Sequence, residues 1–414
     1  MKALALIALA ACGGPAHPAS TSQDRFVITA QRIYTAPDAP PIDNGWVEVA
    51  GDQILAVGSG APPDVRHDTA CSGGVITAGF HNSHTHFVAP AFSGAAKKPA
   101  SALEPAVTEL TTKWGFTTVT DTSSNPNDTI PLRDRIARGE LRGPKILTVG
   151  AGLYAGIPFY LLDQPPEVLS FLPQPKTADD ARKVVQQNIA AGVDGTKLFI
   201  ATPKDPKQGI IERMPPEVAA AAVDETHRAG KLVMVHPTDV AGVTAAVDAG
   251  VDIIVHTTID GDAMEWPVPL IEKMVASHIA LSPTLKLWIY ELATKAHLPQ
   301  PVIDKLEHGA QAQLAAFEKA GGLVMFGTDS GYMTDLDPTD EYVLMHEAGL
   351  TPMQILASLT TNPAAKWKAT DQRGRVAAKL AADLVVLDAD PAVDVKKFAA
   401  VKCTIRAGKP QFTR

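Results

Sequence analysis

The residues with the clearest capacity for chemistry are His84 and His86, separated by one residue just after the apolar run Val75-Ile76-Thr77-Ala78. That run reads as a buried strand. Side chains of a strand alternate between its faces, so a His-x-His pair shares one face and can grip a single metal ion. Further donors follow along the chain: Lys197, His236, His256 and Asp329, the last inside Gly327-Thr328-Asp329-Ser330-Gly331. Imidazole nitrogens with a carboxylate suit zinc and its first-row neighbours. Taken singly, each has an ordinary reading, as a hydrogen-bonded core histidine, a solvated lysine or a turn aspartate. Their shared position at the ends of apolar strands argues for one centre.

Such donors need a frame. Between Gly79 and Lys366, strand-sized apolar runs alternate with helix-sized segments, the texture of repeated βα units. The strand carrying His84 is followed by runs at 117–120, 145–149, 196–200, 231–235, 252–255, 279–282 and 322–326. Eight strands in this alternation predict a closed barrel with its active site at the C-terminal strand ends. Residues 178–191 and 216–229 carry apolar residues at helical spacing, and Gly192 and Gly230 end them. By strand parity His81 faces away from His84 and His86, which makes it structural. His227, His278, His297 and His308 fall in helices or at their ends and read as surface residues.

Short β-rich runs at 26–29, 46–49 and 54–57 precede this region, and similar runs at 382–387 and 401–405 follow it. Asn44-Gly45 and Gly51-Asp52 read as chain reversals. The two halves are expected to pair into a small β-sandwich built from both chain ends. The predicted organisation is a signal peptide and tether over 1–23, sandwich strands over 24–78, the (β/α)8 barrel over 79–370 and the remaining sandwich strands over 371–414.

With 414 residues, 45% of them hydrophobic, the chain can bury a large core. A net charge of -8 and the lack of a basic run argue against nucleic acid as a partner. Met1-Lys2 precedes an apolar run that ends in Leu9-Ala10-Ala11-Cys12, which resembles a bacterial lipobox. The expectation is export, with a lipid on Cys12 as the membrane contact and residues 13–23 as a tether; an ordinary cleaved signal, leaving a periplasmic or secreted protein, is the alternative. Gly13 after the cysteine favours the outer membrane. Cys71 and Cys403 read as buried small hydrophobes in preference to a disulfide.

On these motifs the chain resembles the amidohydrolase superfamily, in the branch related to imidazolonepropionase and metal-dependent Xaa-Pro dipeptidases. The resemblance also rests on Ala78-Gly79-Phe80, Gly115-Phe116-Thr117-Thr118-Val119, Gly192-Val193-Asp194-Gly195-Thr196-Lys197 and Ala381-Ala382-Asp383-Leu384-Val385-Val386-Leu387-Asp388. It implies a distorted (β/α)8 barrel beside the sandwich, with His84 and His86 on one metal and His236 and His256 on a second. Asp329 would complete the first site, and an N6-carboxylated Lys197 would bridge two divalent ions, zinc above all. A lysine cation cannot ligate a metal, whereas its carbamate can. Imidazolonepropionase lacks this lysine, so Lys197 points to the binuclear members.

The resemblance also implies that Asp329 orients a metal-activated hydroxide, takes its proton and passes it to the leaving amine. The expected function is hydrolysis of an amide or related C-N bond in a small molecule of the peptide or N-acyl amino acid type. A lactonase or cyclic-amide hydrolase with the same centre is the alternative, and a non-catalytic metal-binding lipoprotein a remote one. A homo-oligomer is compatible with the sequence. His236-Pro237-Thr238, Val255-His256-Thr257-Thr258 and Val119-Thr120-Asp121 depart from the dipeptidase pattern beside the metals, which leaves dipeptide specificity open. Residues 281–288, with Tyr154 and Tyr160, are candidates for the pocket wall.

Overall fold

The computed structural model describes residues 25–162, 169, 172–205, 208–259 and 265–414. Cys12 and the signal segment lie outside the described residues. No helix among those described is long and apolar enough to cross a membrane.

All eight predicted barrel strands are present. They are β1 (Phe80–Thr85), β2 (Phe116–Asp121), β3 (Lys145–Thr148), β4 (Gly195–Phe199), β5 (Leu232–His236), β6 (Ile253–Val255), β7 (Ala280–Ser282) and β8 (Leu323–Val324). Every pairing between neighbours is parallel. The barrel is distorted at two seams. The third strand is broken, so that β3 pairs with β2 while its continuation Leu153–Tyr154 pairs with β4; Asp194 N donates to Thr148 O at 2.6 Å across the gap. At the other seam Ser83 N donates to Phe326 O at 2.7 Å and Asp329 N to His84 O at 2.9 Å, which joins β8 to β1.

Strand alternation sorts the core. On β5, Val233 and Val235 face the surrounding helices, while Met234 packs with Val149, Ile253, Val255, Ala280 and Met325 in a second cluster inside the barrel. That cluster is an apolar plug beneath the strand ends, so polar side chains beyond it stand on a packed floor. The helices follow their sequence signals. Ala178–Ala191 begins on a Thr177–Asp180 capping box and ends on Gly192 at φ 94°. Pro216–Arg228 starts with proline at its first position.

The strands of both chain ends pair into one eight-stranded sheet. Its centre is Val75–Ala78, parallel to Arg25–Ile33 on one side and antiparallel to Leu384–Leu387 on the other. Three sequence expectations change here. The run 75–78 belongs to this sheet and is a separate strand from the one bearing the histidines. Gly79 lies between the two, at a place where a Cβ would fall 2.1 Å from Thr117 Oγ1. Gly51-Asp52 does turn a hairpin, but Asn44-Gly45 lies within the strand Ile42–Ala50, where a Cβ on Gly45 would fall 2.7 Å from Ile33 Cδ1. Finally, Cys71 and Cys403 are joined by a disulfide, with Cα atoms 5.4 Å apart. Sequence could not bring together two residues separated by 332 positions; the pairing of the two chain ends does.

Candidate metal centre

The structure brings the six predicted donors to one end of the barrel. His84 lies on β1 and His86 just beyond it; Lys197 is central on β4, His236 closes β5, His256 follows β6, and Asp329 follows β8. His84, His86 and Asp329 form a tight group that could hold a metal ion, their donor atoms within 4.8 Å of one another. Asp329 Oδ1 lies 3.0 Å from His86 Nε2 and 3.5 Å from His84 Nε2, while Oδ2 lies 3.9 Å from His256 Nε2. The carboxylate therefore straddles the two halves of the site. The rings of His84 and His256 are 4.7 Å apart, as are those of His256 and His236. His236 stands outside the tight group and packs against Phe199 at 5.3 Å.

Local backbone sets these positions. Lys197 and Phe199 share the inward face of β4, with Lys197 Nζ 5.1 Å from the Phe199 ring and Tyr154 stacked on that ring at 4.0 Å. His256 is different. Ile253 and Val255 point into the barrel and Ile254 points out, so alternation would turn residue 256 outward. A left-handed backbone, φ 77°, returns its ring to the mouth. Asp329 also has positive φ, 60°, as does Thr284, 47°. Non-glycine residues in this region cost about 1–3 kcal/mol each, and they collect where surrounding contacts fix them.

Those contacts are specific. Thr284 Oγ1 donates its proton to Pro283 O at 2.8 Å, so it accepts from His256 Nδ1 at 2.6 Å. His256 is thereby held in the tautomer whose Nε2 lone pair faces the other donors. Asn82 ties β1 to the aspartate loop: its Nδ2 donates to Thr328 Oγ1 at 2.7 Å, and its Oδ1 accepts from His84 N at 3.1 Å. Ser124 Oγ accepts from Phe87 N at 2.8 Å and donates to Asp121, which holds the chain leaving His86. Sequence reading missed Thr284 and Asn82 as positioning groups, since nothing in spacing distinguishes them.

The electrostatics suit cation binding. Burial, with the Lys197 charge next in order, holds His84 well below the ordinary imidazole value, and the same two causes bring His236 down to about 3. Burial also lowers His256 strongly, with His236 and then Lys197 adding to it. Neutral imidazoles are the ligating form. Burial lowers Lys197 to about 7, partly opposed by Asp329. His84 Nδ1 and Asp329 Oδ1 are buried and form no aligned hydrogen bond with the protein. A largely buried set of imidazoles with an unsatisfied carboxylate oxygen fits a divalent metal.

The other histidines separate cleanly. His81 is buried and lies 2.9 Å from Thr120 Oγ1 through Nε2, away from the group. Burial, then Arg373 and Lys145, brings its pKa down to about 3. His227, His278, His297 and His308 are exposed. Of the expected wall residues, Trp288 approaches His256 with ring centroids 6.1 Å apart.

A (β/α)8 barrel with these donors at its strand ends defines a class of metal-dependent enzyme, and the chain belongs to the Amidohydrolase family, whose model matches residues 75–410. It is 23% identical over 240 residues to an ochratoxinase of Aspergillus niger, a match covering 56% of this chain and 48% of that protein, so the matched region spans about half the length of the curated relative. Among solved structures it resembles a Xaa-Pro dipeptidase with methionine in its active site (20% identity, TM-score 0.78, 93% of this chain and 99% of that one). It also resembles a putative prolidase from Bifidobacterium longum (23% identity, TM-score 0.76, 94% of each chain).

Proposed function

We propose that the protein is a metal-dependent amidohydrolase that cleaves an amide or related C-N bond in a small molecule of the peptide or N-acyl amino acid type. The observation that carries this reading is the convergence of His84, His86, Lys197, His236, His256 and Asp329 on one barrel end, with Asp329 between the histidine pairs. His84, His86 and Asp329 would hold one ion, His236 and His256 a second, and the carbamate of Lys197 would join them. Two zinc ions held there would supply Lewis-acid stabilisation and a water of lowered pKa. Asp329, whose Oδ2 faces His256, accepts the proton of the attacking water and returns it to the departing nitrogen. Burial of Lys197 keeps a large fraction of its amine neutral near pH 7, the form that condenses with carbon dioxide. The disulfide supports a working place outside the reducing cytoplasm, consistent with export and a lipid on Cys12.

The test is hydrolysis by the purified, zinc-supplemented protein of a panel containing dipeptides, N-acyl amino acids, lactones and cyclic amides. Turnover of a linear amide that disappears in His84→Ala supports the reading. Turnover of lactones or cyclic amides alone would move the function to those substrates, and turnover unchanged in His84→Ala would remove the metal centre from the chemistry.

A further inference from the structure

Three tyrosines and one carboxylate gather beside the metal centre, and none has a part in the chemistry above. Tyr332 lies three residues after Asp329. Its ring meets Tyr160 at 6.0 Å and 64°, and Tyr290 at 6.4 Å and 75°, so two further rings stand steeply against it. Tyr332 Oη donates to Glu291 Oε1. All four side chains are partly exposed, which leaves them open to a ligand. Glu291 opens the π-helical turn Glu291–Lys295 that continues the helix Leu285–Tyr290. Such turns cost hydrogen-bond geometry and recur at functional sites.

The cluster carries a carboxylate, and among the described residues no lysine or arginine forms an ion pair with Glu291. Burial raises the pKa of Glu291, the Tyr332 hydroxyl partly offsets that, and the charge of Asp329 adds to it, which places the two carboxylates within electrostatic reach. Lys286, on the preceding helix, is committed elsewhere: its Nζ donates to Asp335 Oδ2 at 2.7 Å and to Asp337 O at 2.6 Å. Lys295, at the far end of the turn, is exposed, and its charge is the smallest of the influences on Glu291, favouring the carboxylate form. A tyrosine hydrogen-bonded to glutamate could be packing alone. Three clustered tyrosine rings beside a partly desolvated carboxylate, however, are the elements of an ammonium receptor. A substrate carboxylate would be repelled by the same group.

We propose that Tyr160, Tyr290, Tyr332 and Glu291 form a cation subsite that takes an ammonium group on the substrate. Resting on the amidohydrolase reading, this narrows the substrate class to amides whose acyl part carries a free amine, as in unblocked peptides, and disfavours N-acylated ones. Glu291 supplies the counter-charge and the tyrosine rings enclose the cation.

The test has a binding arm and a turnover arm. In the first, n-butylammonium and its neutral isostere n-butanol are titrated calorimetrically into the wild-type protein, Glu291→Gln and Tyr332→Phe at neutral pH. The expected result is preference for butylammonium in the wild type, weakened about ten-fold or more by Glu291→Gln and less by Tyr332→Phe, with butanol binding reporting that the variants keep their pocket. Equal affinity for the two probes, a preference that survives Glu291→Gln, or no binding of butylammonium would overturn the subsite. In the second arm, free and N-acetylated dipeptides of one sequence are compared, and the free-to-acetylated ratio of kcat/KM should collapse in Glu291→Gln. Hydrolysis of acetylated peptides as fast as free ones would sink the subsite and leave the hydrolase reading standing. Glu291-dependent butylammonium binding without any hydrolysis would do the reverse.

Discussion

Thr284 decides which nitrogen of His256 faces the other donors. Having given its proton to Pro283 O, it can only accept from Nδ1, so its loss should free the ring to change tautomer and rotate. Thr284→Val is expected to weaken zinc binding about 10- to 100-fold in a competition titration with a chromogenic chelator, while the fold is retained. Lys197 makes a second prediction at this scale. Its folded pKa is about 7, lowered by burial from 10.5, so the amine is cationic below that pH and neutral above it. Recovery of metal by stripped protein at a fixed dissolved carbon dioxide concentration should quicken as pH rises through about 7 and level off above about 8. An ordinary lysine would keep gaining about ten-fold per unit up to roughly pH 10. That continued rise would exclude the lowered value.

The elements place donors by alternation where they can and by strained backbone where they cannot. Lys197 and His236 point inward through strand parity, and sequence spacing made both legible. His256 was legible as a residue but not in its orientation, because parity turns it outward and a φ of 77° returns it. No local signal announces a left-handed histidine. Gly331 was legible only as part of a motif; the structure supplies its reason. At φ 98° a Cβ there would sit 1.8 Å from His86 O, whereas Gly349, at φ 97°, has open space around it. Gly331→Ala should therefore destabilise by at least about 2 kcal/mol and lower zinc content, while Gly349→Ala should show the smaller cost of backbone strain alone, roughly 1 kcal/mol. Equal melting temperatures and equal zinc content for the two variants would mean that His86 is not pinned by this approach.

For the molecule as a whole, the (β/α)8 order and the pairing of the two chain ends were legible from eight apolar runs flanked by similar β-rich texture. The registers were not, because they depend on contacts between strands that lie tens to hundreds of residues apart. The broken third strand, the separation of Val75–Ala78 from β1 and the Cys71–Cys403 bond are of this kind. The bond closes a loop with a sequence separation of 332 residues, so reducing it should release chain entropy in the unfolded state. Cys403→Ser, or wild type held in reductant, should lose about 2–5 kcal/mol of stability without losing metal, read by denaturant unfolding beside elemental analysis. Equal stability with and without reductant would show that the bond contributes little.

The claim at the centre of this account is that donors from five strands build one binuclear site. Elemental analysis of the dialysed protein, with His84→Ala, His236→Ala and Lys197→Met prepared in parallel, tests it most directly. The account predicts two divalent ions per wild-type chain and loss of at least one in every variant, with circular dichroism unchanged. A wild-type chain that retains no divalent ion, or variants that keep the full complement, would contradict it.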